Sequence, residues 1–353
     1  MLLSALFLMA ASIPPKADVP YRQPQLASAH GMVAMTFGGG SAVYFASSAD
    51  QGRTFSPPVR VAEEGALALG RHRGPRIAIL KDAIVISAIA AGTRATGPHA
   101  HGLPENGNLI SWRSTDRGRT WSRAGVINDV PGAAREGLHA MAAGRDGSLL
   151  AVWLDLRAKG TQLFGARSAD GGLTWSRNVL VYSSPGGTIC QCCHPTLSID
   201  ETGRIWVMWR NVIDGSRDLY VTSSTDGVRF DPAAKLGADT WKLNACPMDA
   251  GGFAVKRGQV ISAWRREGDI FLAESGNRER RVGSGKDVAI VQGKRGTYVA
   301  WTKDGALQIL TPNSAEPGVL APEGSFVSLL ALEDGSVLAA WEARQSIETK
   351  RLN

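Results

Sequence analysis

The chain has 353 residues, among them 41 glycines and 10 tryptophans beside only 5 tyrosines. No long apolar stretch with a 3.6-residue period follows the N-terminus, which favours an all-β chain with many tight turns. The formal charge is +7, but the basic residues are scattered without an aromatic-basic binding module. A carboxylated or sulfated ligand therefore suits this charge better than nucleic acid.

The N-terminus has the pattern of an export leader. An apolar run from Leu2 to Ala11 is followed by a segment of small residues and prolines. The run is too short to span a bilayer and is typical of a signal-peptide core, although no Lys or Arg precedes it. We predict a signal peptide over residues 1–17, a periplasmic or secreted protein, and no membrane span. A buried first strand is the alternative.

One short phrase recurs between strand-like runs. Three copies with the pattern S-x-D-x-G-x-T-[FW] begin at Ser48, Ser114 and Ser168, and a shorter fourth copy begins at Ser224. The carboxylate can accept backbone N–H groups, the glycine can adopt positive φ, and the aromatic ring can pack beneath the chain. We therefore predict turns built on Asp50, Gly52, Asp116, Gly118, Asp170, Gly172 and Asp226.

The strand-like runs recur in groups of four. We count seven groups, which begin near Gln23, Pro75, Gly137 and His194, before Val260, and near Val288 and Phe326. Four-stranded units that recur every roughly 40–60 residues predict a β-propeller, whose closed ring leaves few exposed strand edges. The last group has only three strands, and we predict that residues 18–22 supply its fourth. Residues 18–353 would then form one propeller domain with seven blades, or six if two late groups merge.

A tryptophan ends the second strand in five groups. These residues are expected to pack between neighbouring blades, and a sugar-stacking platform is the alternative. Polar residues follow each of them, and equivalent loops from all blades meet on one face of a propeller. That face is the expected functional site. The tryptophans are Trp153, Trp209, Trp264, Trp301 and Trp341.

The repeated turn resembles the Asp box of the sialidase superfamily, whose members are β-propellers, and sialidases themselves have six blades. The resemblance implies a glycoside hydrolase or a glycan-binding protein that acts on a carbohydrate or another acidic small ligand. We expect it to be a monomer. The alternative is a non-catalytic propeller that binds a ligand or a metal.

The stretch from Leu149 to Arg157 resembles the sialidase strand that ends in F-A-D-A-R. This resemblance assigns the acid/base role to Asp155, with Glu136 as a second candidate carboxylate; a structural brace between Asp155 and Arg157 is the alternative. Gly137 stands where the family has a substrate-binding arginine, and the last group lacks the family's nucleophilic tyrosine, so the catalytic set is incomplete. Candidates for holding the substrate are Arg76, Arg135, Arg157, Arg210, Arg265 and His139.

All four cysteines lie in two segments that precede the first strands of neighbouring groups. One segment contains Cys190, Cys192, Cys193 and His194, and the other contains Cys246. In an exported protein we expect disulfides, with Cys246 bonded to one of the other three and the remaining two paired locally. No cofactor is then expected. The alternative is a copper or zinc ion held by these five residues, and C-x-x-C-H also matches c-type haem attachment.

A further metal-type pattern lies in the second group. His99 and His101 form H-x-H in a loop rich in glycine and proline. Such a pair is expected to face solvent, and metal binding is the alternative.

Overall fold

A computed structural model describes residues 11–15, 18–97, 100, 102–275 and 278–352. Most of the predicted leader and the pair His99 and His101 lie outside the described residues. The described chain is all-β and forms seven antiparallel sheets, as the seven repeated groups predict. It contains no helix, and hence none that could cross a membrane.

The strands follow one another along the chain. The first is β1 (Ala11–Ile13). Blade I comprises β2 (Tyr21–Ala29), β3 (Met32–Gly39), β4 (Ala42–Ser48) and β5 (Val59–Glu63). Blade II comprises β6 (Ala66–Leu67), β7 (Arg76–Ile79), β8 (Ile84–Ala91), β9 (Asn108–Ser114) and β10 (Ser122–Val126). Blade III comprises β11 (His139–Ala143), β12 (Leu149–Asp155), β13 (Gln162–Ser168) and β14 (Val179–Tyr182). Blades IV and V comprise β15 (Thr196–Ile199), β16 (Ile205–Arg210), β17 (Leu219–Ser224) and β18 (Ala234–Lys235); β19 (Gly252–Lys256), β20 (Gln259–Arg266), β21 (Asp269–Ser275) and β22 (Arg278–Ser284). Blades VI and VII comprise β23 (Lys286–Gly293), β24 (Gly296–Lys303), β25 (Ala306–Leu310) and β26 (Gly318–Ala321); β27 (Ser325–Ala331), β28 (Val337–Ala343) and β29 (Ser346–Leu352).

The ring is closed by the N-terminal strand. β1 pairs with β29 in register Ala11 with Thr349 and Ile13 with Ile347, and so becomes the fourth strand of blade VII. The prediction that residues 18–22 fill this place is wrong, because Tyr21 already begins β2 of blade I. The first strands of neighbouring blades contact one another around the whole circle, so they line the central axis.

The blade tryptophans pack between sheets, as predicted. Trp153 of blade III lies in one buried cluster with Ile89 and Leu109 of blade II. Trp301 of blade VI packs in the same way with Ile261 and Leu272 of blade V. Rings buried between blades cannot serve as an exposed platform for sugars, so the alternative reading is wrong.

The repeated phrases form turns between third and fourth strands. In the first copy, Asp50 accepts hydrogen bonds from the backbone N–H and the hydroxyl of Thr54 (2.8 and 2.7 Å). Burial opposes ionisation, but the bonds from Thr54 and Ser48 prevail and lower the pKa of Asp50 to about 2. In the second copy Gly118 has a φ of 89°, and a Cβ there would overlap the Phe45 ring of the preceding blade.

Antiparallel pairing divides the connections between two faces of the ring. The turns between first and second strands and between third and fourth strands lie on one side, here called the lower face. Connections between second and third strands, and the links from one blade to the next, lie on the upper face. The repeated turns are therefore on the face opposite the links between blades.

Candidate functional site

The upper face contains a pocket of about 830 Å³, here called the upper-face pocket. Its charged and sulfur-containing lining comes from segments that lead into the first strands of different blades. These residues are Arg22, Arg71, Arg73, Glu136, Cys192, Cys246 and Met248, and the wall is completed by Leu69, Gly70, Leu103, Gln191 and Phe326. An adjoining cavity of about 340 Å³ shares part of this wall and adds Arg265, Lys286 and Asp287.

A larger depression of about 970 Å³ lies on the lower face. Two of its carboxylates, Asp146 and Asp170, belong to turns that already use them. Asp146 accepts a hydrogen bond from the Ser148 hydroxyl at 2.7 Å, and Asp170 accepts one from Thr174 at 2.5 Å.

Strained backbone surrounds the upper-face pocket. β2, β23 and β27 each have a register shift where they begin. Each shift contains a non-glycine residue with positive φ, namely Gln23 (58°), Asp287 (57°) and Phe326 (52°). Arg71 (52°) and Met248 (58°) share this conformation. Such residues each cost on the order of 1–3 kcal/mol and often occur where a side chain must be aimed at a ligand.

Three arginines line the pocket, and they differ in exposure and in their existing partners. Arg22 is half-exposed and lies 3.5 Å from the Glu342 carboxylate. Arg71 is exposed, and its Nη1 contacts the Met248 sulfur at 3.4 Å. Arg73 is buried and donates from Nε to the Glu136 carbonyl at 2.6 Å, and the nearby Glu136 carboxylate favours its charge. Burial lowers the pKa of Arg73, so an anion beside it would be favoured.

Three cysteine thiols converge at the same pocket, and one of them, that of Cys192, lines its wall. The Cys190 sulfur lies 3.4 Å from that of Cys193 and 3.6 Å from that of Cys192, and all three lie within 4.8 Å of one another. All three residues are buried, whereas Cys246 is exposed. The expected disulfides are not formed in the structure, because an S–S bond is about 2.05 Å long.

The charge of this cysteine cluster is governed by its neighbours. Hydrogen bonds from Cys192 and Cys193, together with nearby Arg217, lower the pKa of the Cys190 thiol. Burial raises the pKa of Cys193. The guanidinium of Arg217 lies 3.3 Å from the Cys190 sulfur and is fixed by a second bond to the Leu243 carbonyl. The pKa is lowered for Cys190 and raised for Cys192 and Cys193, which favours one negative charge, on the Cys190 sulfur.

His194 is the one predicted ligand of this segment that lies outside the sulfur cluster. Its Nε2 is 3.1 Å from the Gly251 carbonyl, and its ring stacks on His72 at a centroid distance of 4.3 Å. His72 in turn contacts the Asp287 carboxylate at 3.0 Å. Buried Asp249 accepts bonds from the backbone N–H groups of Gly251 and Asp287 (3.0 and 2.7 Å). This network ties the links of several blades together beneath the pocket.

Asp155 and Glu136 do not share a pocket. Asp155 is 0% exposed, and its carboxylate accepts hydrogen bonds from the Trp153 indole at 2.8 Å and from the Arg157 guanidinium at 2.9 Å. Arg157 also bonds to Asp129 and lies over the Phe164 ring. This is the brace that the sequence offered as the alternative to an acid/base pair.

The other predicted substrate-binding residues are mostly used by the fold. Arg76 and Arg210 are buried, and their guanidinium groups donate to backbone carbonyls. Arg265 lies over Trp241 and lines the adjoining cavity. Arg135 is exposed, and His139 is fully buried against Ser87 at 3.0 Å.

His139 makes stability depend on pH. Burial and nearby Arg76 hold its pKa well below the usual value, against a small opposing effect of Ser87. Below about pH 6.5 the unfolded chain binds a proton that the folded chain excludes, so the free energy of unfolding falls by up to about 1.4 kcal/mol per pH unit. Urea unfolding at pH 7.5, 6 and 5 measures this loss. In His139→Gln the slope should decrease, and an unchanged slope would assign the loss to other groups.

Sequence reasoning missed the residues that form most of the pocket. Arg71 and Arg73 were visible as a compact basic cluster, and Met248 follows Cys246 closely. Their position just before a first strand is the signal that would have placed them beside Cys192. Phe326 carried no such signal, because only the bulge turns it toward the pocket.

The sequence matches no protein-family model and no curated protein sequence. Among solved structures, a Dyadobacter fermentans protein of unknown function is 16% identical with a TM-score of 0.56, over 98% of each chain. The Penicillium chrysogenum alpha-L-arabinanase complexed with arabinobiose is 14% identical with a TM-score of 0.55, over 98% of this chain and 97% of that one. A Hadza microbial sialidase is 14% identical with a TM-score of 0.57, over 98% and 68%. The fold is therefore sialidase-like.

Proposed function

We propose that the protein is an exported, monomeric propeller that binds an acidic small ligand, such as a carboxylated or sulfated carbohydrate, in the upper-face pocket. One observation carries this proposal: Arg22, Arg71 and Arg73 come from two blades and line a single cavity. Guanidinium groups match carboxylate and sulfate oxygens in geometry and charge. Carbohydrate as the ligand class is supported by the arabinanase and the sialidase that share the fold.

Phe326 and Arg73 give the pocket its two kinds of contact. The Phe326 ring is an apolar surface of the kind on which a sugar ring packs. Arg73 is a buried cation beside Glu136, and a ligand anion would add a further charge-assisted partner. A binding protein needs only an apolar surface and a cation of this kind. Sialidase-type hydrolysis also needs an acid, and Asp155 does not line the pocket.

Binding is tested by calorimetry with uronic acids, sialic acid, sulfated sugars and the corresponding neutral sugars. At least one acidic sugar is expected to bind, and its neutral counterpart is not. Arg71→Ala should raise the Kd of that sugar about tenfold or more, because a charge-assisted hydrogen bond contributes about 1.5–3 kcal/mol. Arg123→Ala removes an exposed arginine of β10 and serves as the matched control. Equal binding of neutral sugars, or equal effects of both variants, would contradict the proposal.

A second candidate function is glycoside hydrolysis at the same pocket. It is favoured by Glu136, the one carboxylate among the residues that line the upper-face pocket. A panel of fluorogenic glycosides is the assay, with Glu136→Gln as the variant and its Tm as the control for folding. Loss of turnover at an unchanged Tm would support hydrolysis, and full turnover in Glu136→Gln would exclude this carboxylate.

A further inference from the structure

We propose that Cys190, Cys192 and Cys193, completed by Cys246 from the next blade link, bind one thiophilic d10 ion, Zn(II) or Cu(I). The three buried sulfurs lie within 4.8 Å of one another. This inference goes beyond ligand binding by the arginines and does not depend on it, since it uses different side chains.

The sulfur separations fit a shared ion. Zn–S bonds of about 2.3 Å in a tetrahedron place neighbouring sulfurs about 3.8 Å apart. Two of the separations, 3.6 Å from Cys190 to Cys192 and 3.4 Å from Cys190 to Cys193, are close to this edge. They are far longer than a disulfide of about 2.05 Å. Small side-chain rotations would thus suffice to bring three ligands onto one ion.

The local backbone supports this convergence. The segment makes a tight turn in which the Cys193 N–H points to the Cys190 carbonyl at 3.5 Å. The turn places the sulfurs of Cys190 and Cys193 on the same side. Cys192 lies within the turn and adds the third sulfur. Buried Ala250 and half-buried Val212 pack around the cluster. An apolar wall favours soft sulfur ligation over hydrated hard cations.

Electrostatics favours a thiolate-bound ion over bare thiols. When the ion binds, each coordinating thiol releases its proton to solvent. Three thiolates with Zn(II) carry a net charge of −1, and with Cu(I) a net charge of −2. The guanidinium of Arg217 lies 3.3 Å from the Cys190 sulfur and is fixed by the Leu243 carbonyl. It is thus held in place to balance this charge.

Cys246 is the ligand at the entrance. It is exposed and lines the upper-face pocket together with Cys192. Its thiol also interacts with that of Cys192. Cys246, the fourth ligand, therefore faces the pocket, through which an ion would enter and leave. The sulfurs of Cys190 and Cys193 are enclosed.

The test uses the full chain, reduced and handled without oxygen. Zn(II) and Cu(I) are each titrated in competition with a chromophoric chelator, and bound metal is counted per chain. We expect one ion per chain and a rise in Tm on loading. Cys190→Ser or Cys193→Ser should weaken binding by about 100-fold or more, and Cys246→Ser by less, about tenfold, with one ion still bound.

Two measurements separate this site from a failed fold and from disulfides. The metal-free Tm of each variant reports folding, and only wild type and Cys246→Ser should gain Tm with metal. Mass spectrometry of thiol-labelled protein counts free cysteines before and after loading. Binding by one metal alone identifies the resident ion. No binding of either metal after reduction, or equal binding by wild type and Cys190→Ser, would overturn the proposal.

Discussion

Asp155→Asn should lower the free energy of unfolding by about 2 kcal/mol, because the buried Trp153 indole and the Arg157 guanidinium lose a shared charged acceptor while Arg157 keeps its bond to Asp129. The Asp155 carboxylate is the common acceptor for Trp153 and for two nitrogens of Arg157. An asparagine keeps the shape but loses the charge and turns an N–H₂ group toward one of these donors. Urea unfolding followed by tryptophan fluorescence measures the change.

The same variant should leave the upper-face pocket intact. Asp155 does not line that pocket, whereas Glu136 does. Glu136→Gln is thus the matched comparison. It changes a carboxylate to an amide in the pocket, whereas Asp155→Asn makes the same change in the brace. If Asp155→Asn abolished turnover of a glycoside while stability stayed at the wild-type level, the brace would be wrong and an acid role would return.

Much of the fold follows from local patterns. The turns depend on residues a few positions apart, such as Ser48, Asp50 and Thr54, so eight letters suffice to identify them. A tryptophan recurs at the position of Trp153 in five blades, because each sheet packs against the neighbouring blade at the same place. Seven groups of strands therefore predict seven blades without any long-range information.

Ring closure could not be predicted in the same way. The apolar run up to Ala11 has the composition of a leader core and equally that of a strand. Which role residues 11–13 take depends on β29, more than 300 positions away along the chain. Residues 18–22 were the nearer candidates, and only the pairing of β2 with β3 shows that Tyr21 is already used.

The site was predictable only in part. That the two cysteine segments would meet followed from their equivalent places in neighbouring blades. Asp155 shows the limit, since the letters that follow Trp153 resemble a catalytic motif while the side chain folds back onto the indole. Side-chain direction at a strand end is decided by the partners available, here Trp153 and Arg157. Sequence spacing does not contain that information.

A chain that begins at residue 18 should be at least about 3 kcal/mol less stable than one that begins at residue 11, from lost burial of Ile13 and lost strand hydrogen bonds. Ile13 is 5% exposed and packs with Phe37 and Ile347. The shorter chain also exposes the edge of β29, which favours self-association. Urea unfolding measures the stability, and light scattering measures the association.

Point variants make the same comparison without truncation. Ile13→Ala should cost about 2–3 kcal/mol, and Ser12→Ala, which removes an exposed hydroxyl that bonds to Glu348, less than about 0.5 kcal/mol. A leader cleaved after residue 17 would remove β1, so N-terminal sequencing of exported protein bears on the same question. Equal stability of the two chains would mean that β29 needs no partner, and the predicted boundary at residue 17 could then stand. A large loss would instead favour cleavage before Ala11, because β1 can pair with β29 only if residues 11–13 are kept.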